Sequence, residues 1–274
     1  MTDTLEQLAS SAIAGDAVAL RTLCERIQGP VYRLARRTLG NSSDAEDATQ
    51  EISIKVITHL ATFEGRSRLL TWIYTIAVRH LLGMQTRRRE DATSIEDIAA
   101  KLDAGLAMAP RVAPLSAVEA PVLEAELQLE CTQAMLLALS RPERISFILA
   151  DVLGATDAIG GDICEITPAA FRQRLARARA RVRPLLAERC GLADANNPCT
   201  CASQAPVAAA AKLIDVRRLR FASVARETDP ALARADEQLG TLRRLGPVFD
   251  RDDPPRAPHR IWNAITAACP ELLQ

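Results

Sequence analysis

The sequence predicts an all-α protein: two helical domains joined by a flexible linker and followed by a small helical extension. Three observations carry this expectation. Apolar residues recur one helical turn apart in successive segments, as in Ala48, Ile52, Val56 and Leu60 and again in Phe171, Leu175, Ala178 and Val182. Helix-start signals precede such stripes, with Ser43 three residues before Glu46 and Ser140 three before Glu143. Between the two sets, Pro110, Pro114 and Pro121 interrupt any long helix. The 274 residues suffice for two or three domains, since domains commonly run about 100 to 150 residues.

Composition narrows the function. The chain has 34 basic and 34 acidic residues, which argues against a protein that binds nucleic acid over its whole surface. The charge is segregated instead: acid gathers near residue 46, arginine near residues 87 and 177. The first residues are polar, and no apolar run approaches the roughly 20 residues of a membrane span, so a cytoplasmic protein without membrane insertion is expected. Seven cysteines without a secretion signal point to reduced thiols or metal rather than a disulfide framework.

Residues 4 to 38 read as two helices, striped by Leu5, Leu8 and Ala12 and by Val18, Leu20, Leu23, Ile27, Val31, Leu34 and Leu39, with a break at Gly15-Asp16. Arg33, Arg36 and Arg37 there suit either a solvated face or DNA phosphates. The Ser43 box should start the next helix at Asp44 and carry it towards Leu60. Asp44, Glu46, Asp47 and Glu51 suit the positive end of its dipole, but that effect fades within the first turn, which leaves Asp47 and Glu51 as candidates for a partner surface. A loop from Phe63 to Arg68 follows. Leu69, Trp72, Ile73, Ile76 and His80 then recur at helical spacing, interleaved with Thr71, Tyr74 and Arg79 and ending in Arg87-Arg88-Arg89. Interleaved aromatics and guanidiniums suit unpaired bases, which stack on flat faces. Trp72 equally suits plain core.

From Glu90 to Pro121 the aromatics vanish and alanine rises, which marks a linker with one short helix over Ile95 to Leu106. The second ordered unit opens with Leu127, Cys131, Met135 and Leu139 on one face, and the Ser140 box starts a helix that Gly154 should stop. Thr156 caps a short helix to Glu165, and Thr167-Pro168 start a longer one. Two helices joined by so tight a turn form a helix-turn-helix, whose second helix enters the major groove. That helix carries arginines at 172, 174, 177, 179, 181 and 183 with no acid between them, whereas a solvated helix gains from alternating sign. Gly160-Gly161 should loosen the helix before it, at about 0.5 to 1 kcal/mol per glycine.

These strings resemble a known family. Asp44-Ala-Glu-Asp-Ala-Thr-Gln-Glu51, Phe63-Glu-Gly-Arg-Ser67 and Thr71-Trp-Ile-Tyr-Thr-Ile-Ala77 are similar to the second conserved region of bacterial extracytoplasmic-function sigma factors. Ser140-Arg-Pro-Glu-Arg144, Ile148 to Gly154 and Ile166 to Arg179 resemble the fourth region of the same family. Glu165 departs from it, standing where the turn usually has glycine. The resemblance implies a non-enzymatic protein that needs no cofactor and whose partners are core RNA polymerase, promoter DNA and, in regulated members, an anti-sigma factor. Asp44, Glu46, Asp47 and Glu51 would face the polymerase. Phe63, Arg66, Ser67, Arg68, Trp72, Tyr74 and Arg79 would face the minus-ten element, and Arg172, Arg174, Arg177 and Arg179 the minus-thirty-five element. The implied division is 1–89 for a region 2-like domain, 90–121 for the linker, 122–189 for a region 4-like domain and 190–274 for the extension. A stand-alone helix-turn-helix regulator, or a thiol or zinc sensor acting without polymerase, is the alternative.

The extension opens with Cys190, Cys199 and Cys201. They suit a structural zinc completed by His259, Cys164 or Cys269, a redox pair, or inert small residues, and all three readings stay open. Further helical stripes are expected over Ala208 to Val224 and Ala231 to Leu245.

Overall fold

Helices make up every regular element among the described residues of this computed structural model, which are 4–85, 94–217 and 219. They divide into two compact units: one takes in the described residues up to Gln85 together with Thr156–Phe171, the other the described residues from 94 to Ala155 and from Arg172 to 219.

In the first unit, α1 (Leu5–Ile13) begins in a capping box between Thr4 and Gln7, and α2 (Ala17–Leu39) begins on Asp16, whose carboxylate accepts from the N–H groups of Val18 and Ala19. Gly40, at φ +73°, ends α2 in the left-handed conformation that glycine adopts without strain. The chain leaves it extended, so Asn41 reaches the next helix first. Its side-chain oxygen accepts from Ser43 N–H at 2.9 Å, and α3 runs Ser42–Thr58. The expected Ser43–Glu46 box is therefore replaced by an Asn41 cap two residues upstream. The stripe Ala48, Ile52, Val56 and Leu60 is buried as expected. Arg36 and Arg37 are buried too, at 4% and 1% exposure, so they form neither a solvated face nor a phosphate contact. The next helix, α4 (Leu69–Gly83), has no capping side chain of its own. Glu6 of α1 accepts from Leu69 N–H at 3.2 Å instead.

In the second unit, a Ser94–Asp97 capping box opens α5 (Ile95–Met108). It is followed by α6 (Ala120–Leu137) and by α7 (Arg141–Phe147), which continues as a π-helical turn over Ile148–Val152 before the left-handed Gly154. Ser140 makes half of its expected box: its hydroxyl donates to Glu143 Oε2 at 2.7 Å but accepts no backbone N–H.

The helix-turn-helix consists of α8 (Asp157–Cys164), capped by Thr156, and α9 (Pro168–Arg189), capped by Thr167, whose hydroxyl accepts from Ala170 N–H. Between them Glu165 adopts φ +55°. Gly160 and Gly161 do not loosen α8. A methyl group on Gly160 would stand 2.2 Å from Phe171 Cζ, and one on Gly161 2.9 Å from the Ile166 carbonyl oxygen, so the pair lets the start of α9 lie directly on α8.

The extension contributes α10 (Cys201–Ala210), which packs on α5 and α6 around Leu123, Ala205, Ala208 and Ile214. The stripe expected from Ala208 ends at Ala210, where the helix stops. The Ala231 to Leu245 stripe, His259, Cys269 and Arg87–Arg89 lie outside the described residues. No described helix is long and apolar enough to cross a membrane.

Candidate functional site

The buried stripe of α3 fixes which of its acids face outward. Glu46, Asp47 and Glu51 are exposed, whereas Asp44 is 8% exposed and belongs to the packed face. With the helix starting at Ser42, Asp47 and Glu51 lie beyond the first turn, where the dipole no longer accounts for them. Glu51 lies 3.7 Å from Nε2 of His80 on α4, and Lys55 Nζ lies 2.7 Å from Nδ1 of the same ring. Burial, then the Lys55 charge, pull the His80 pKa below its ordinary value, and Glu51 only partly opposes them.

The loop after α3 and the first turns of α4 bring Phe63 and Trp72 together, with ring centroids 5.6 Å apart and planes tilted by 53°. Both rings are half-buried and retain open surface. Arg66, Ser67 and Arg68 are exposed, and Arg66 pairs with Glu64. Trp72 also borders an open groove of about 660 Å³, shared with Lys55, His59, Ile76, Arg79 and Met84. Aromatic face, cations and concavity thus meet in one place. Tyr74 does not join them: it is 9% exposed, in the core with Ile73 and Ala77. Two residues along a helix lie about 200° apart, so the two rings face opposite ways, and the structure reverses the expected stripe by packing Tyr74 inward and leaving Trp72 partly open. Arg79 is exposed, and its guanidinium takes both carboxylate oxygens of Glu165, the left-handed residue of the α8–α9 turn.

The arginines of α9 separate into two groups. Arg172 is exposed and Arg174 half-buried, in the first turns. Further along, Arg177 and Arg181 lie 3.2 and 3.6 Å from the Glu143 carboxylate, and Arg179 binds Asp151 through Nε at 3.0 Å and Nη2 at 2.6 Å. Burial alone would raise the Glu143 pKa, but the hydrogen bonds from Ser140 and Arg177 hold it below the ordinary value. The acids missing between the arginines of α9 are supplied by α7 and its π turn. Glu143 and Asp151 stand eight residues apart, near two helical turns, and that spacing was the one signal of a shared face.

Cys190, Cys199 and Cys201 line one cavity, and Cys131 of α6, which the sequence reading had not linked to them, lines it too. No disulfide joins the described cysteines, and no three His, Cys, Asp or Glu side chains among the described residues are arranged to hold a metal ion. Cys164 lies on α8 in the first unit.

The family model for Sigma-70 region 2 matches residues 23–92, which spans α3, the aromatic pair and α4. The ECF RNA polymerase sigma factor SigM of Mycobacterium tuberculosis is 27% identical over 183 residues, covering 66% of this chain and 83% of that protein. The ECF RNA polymerase sigma factor SigE of Mycolicibacterium smegmatis is 30% identical over 182 residues, covering 64% of this chain and 65% of that protein. SigW of Bacillus subtilis, of the same description, is 29% identical over 77 residues, covering 28% of this chain and 41% of that protein. Residues 23–92 thus match Sigma-70 region 2, and over about two thirds of its length the chain is similar to ECF RNA polymerase sigma factors, which are transcription initiation factors rather than enzymes.

Proposed function

We propose that this chain docks on core RNA polymerase through the exposed acids of α3 and directs initiation at promoters that it selects itself. The observation that supports this best is the division of α3: Ala48, Ile52, Val56 and Leu60 are buried while Glu46, Asp47 and Glu51 stay open to solvent. Carboxylates beyond the first turn add little to helix stability, and three on one open face suit a basic partner surface. The groove beside Trp72 would take an unpaired base of the minus-ten element, with Phe63 supporting the indole and Arg66, Arg68 and Arg79 meeting phosphates. Arg172 and Arg174 would reach duplex DNA at the minus-thirty-five element. On this reading 1–89 serves the polymerase and the minus-ten element, 90–121 links, 122–189 serves the minus-thirty-five element, and 190–274 is an appended regulator. The protein would work in the cytoplasm, and an anti-sigma factor would silence it by covering these faces.

The test is comigration of the purified chain with core RNA polymerase, followed by run-off transcription from a matched promoter. Replacing Asp47 and Glu51 together by glutamine should weaken polymerase binding and leave the melting temperature unchanged. Duplex binding without any polymerase association would identify a stand-alone helix-turn-helix regulator instead.

A further inference from the structure

Cys131 on α6, Cys190 just after α9, and Cys199 and Cys201 at the start of α10 converge from three segments of one unit on a single cavity of about 70 Å³. The backbone holds three of them in register. Cys190 and Cys199 face each other across a parallel β-bridge, with Gly191 N–H donating to the Cys199 carbonyl at 2.8 Å and Cys199 N–H to the Arg189 carbonyl at 3.0 Å. Cys201 follows two residues beyond Cys199, across the Thr200 cap of α10. The Asn197 side chain ties the intervening loop to the end of α9 by donating to the carbonyls of Leu186, Ala187 and Cys190. That loop has little apolar surface of its own to bury: Leu192 is its only large aliphatic residue, and it is 48% exposed.

We infer that Cys131, Cys190, Cys199 and Cys201 bind one thiophilic divalent ion of the zinc type, and that the ion fastens the base of the C-terminal extension to α6. Four sulfur donors are the ligand set of a closed structural zinc site. The cavity exceeds the roughly 10 to 15 Å³ that a single water needs, so an ion fits without unpacking the helices. The four side chains line the cavity without three of them standing in chelating geometry, so binding draws the thiols inward by rotation about their Cα–Cβ bonds. Each sulfur exchanges its proton for a bond to the ion, and up to four protons pass to solvent. The N-terminus of α10, whose first residue is Cys201, supplies partial positive charge to the thiolates that form.

The inference goes beyond promoter recognition and holds whether or not α3 meets polymerase.

The experiment uses the full chain, reduced and stripped with a chelator, then titrated with zinc and separately with cobalt. Expected are one zinc per chain by elemental analysis and a thiolate-to-cobalt charge-transfer band. Cys131→Ser should weaken zinc binding by more than the roughly 10- to 100-fold that loss of an outer-shell partner costs. Cys131→Val keeps the apolar packing, so loss of metal with unchanged helix content in that variant excludes misfolding as the cause. Cys24→Ser, Cys164→Ser, Cys269→Ser and His259→Ala should bind as the parent does. Wild-type zinc affinity in Cys131→Ser, or a Cys190–Cys199 disulfide formed by peroxide in a chain that takes up no zinc, overturns the assignment.

Discussion

The guanidinium of Arg179 closes a two-pronged ion pair on the carboxylate of Asp151, at 3.0 and 2.6 Å, and that carboxylate is 1% exposed. An arginine so engaged positions α9 rather than reading DNA. Removing one partner of a buried pair strands the other, at about 3 to 5 kcal/mol, and the 37% exposure of Arg179 places this case at the lower end. Arg179→Ala and Asp151→Asn should therefore lower the melting temperature by several degrees. Arg172→Ala and Arg174→Ala should leave it unchanged and weaken binding to minus-thirty-five duplex in a band-shift assay. An Arg179→Ala variant that melts normally but loses duplex binding would restore Arg179 to the DNA face.

Gly160 and Phe171 set a second expectation. Alanine normally stabilises a helix interior over glycine by about 1 kcal/mol, so a loose α8 would be firmed by Gly160→Ala. Here the new methyl meets the Phe171 ring at 2.2 Å, and overpacking of that kind costs about 1 to 3 kcal/mol. The variant should be less stable in urea denaturation, and adding Phe171→Leu should recover part of the loss. Gly161→Ala should be worse, because it meets the Ile166 backbone oxygen rather than a side chain that can turn. A Gly160→Ala chain more stable than the parent would show that the ring moves aside freely.

These two pairs show where reading the sequence stops. The stripes from Ala48 to Leu60 and from Phe171 to Val182 were legible because helical period and burial are local properties of the chain. The caps at Thr156 and Thr167 were equally legible, since a cap is decided within a few residues, and Asp16, legible only as a break, proved to be a cap as well. Asn41 displaced Ser43 only because Gly40 set the approach angle of the chain. What stayed hidden was contact between distant segments. Arg144, 1% exposed, donates to the carbonyls of Leu136, Leu137 and Leu139 and so finishes α6 from α7, yet in the sequence it is one arginine among many. Cys131 met Cys190 and its neighbours for the same reason, across some sixty residues that no spacing rule connects. Within the candidate site, the aromatic pair was legible as a cluster, but assigning Trp72 to the open face and Tyr74 to the core required the packed helix.

His80 makes the first unit sensitive to acid. Its folded-state pKa lies below its ordinary value, chiefly through burial and then through Lys55, so below that ordinary value the unfolded chain holds more protons than the folded one. The stability that His80 contributes is therefore present above the ordinary histidine range and is lost as pH falls through the depressed folded value. Protonation at Nδ1 would also set a second cation against Lys55 Nζ, 2.7 Å away. The melting temperature of the full chain should fall on acidification from about pH 7 to about pH 5, the range in which histidine titrates. It should fall less in His80→Gln. Equal slopes in the two proteins would assign the acid sensitivity to other groups.

Phe63, Trp72 and Tyr74 differ in what each can touch. Phe63 and Trp72 lie 5.6 Å apart, both half-buried, and Trp72 lines the groove, so either can offer a face to an unpaired base, and such stacking is worth about 1 to 3 kcal/mol per base. Tyr74, 9% exposed, has no face to offer while the helices stay packed. Trp72→Ala and Phe63→Ala should therefore slow promoter opening, read by permanganate reactivity of unpaired thymines, roughly 5- to 150-fold if one stacked base is lost. Both variants should keep near-parent binding to fully duplex promoter. Tyr74→Ala should act through stability instead, with a loss of about 3 to 5 kcal/mol, as large-to-small changes at buried aromatic positions bring. Tyr74→Phe, which keeps the ring in place, should open promoters as the parent does. An opening defect in Tyr74→Phe with an unchanged melting temperature would mean that the hydroxyl works outside the core, and the division between core and DNA-facing aromatics would have to be redrawn at that residue.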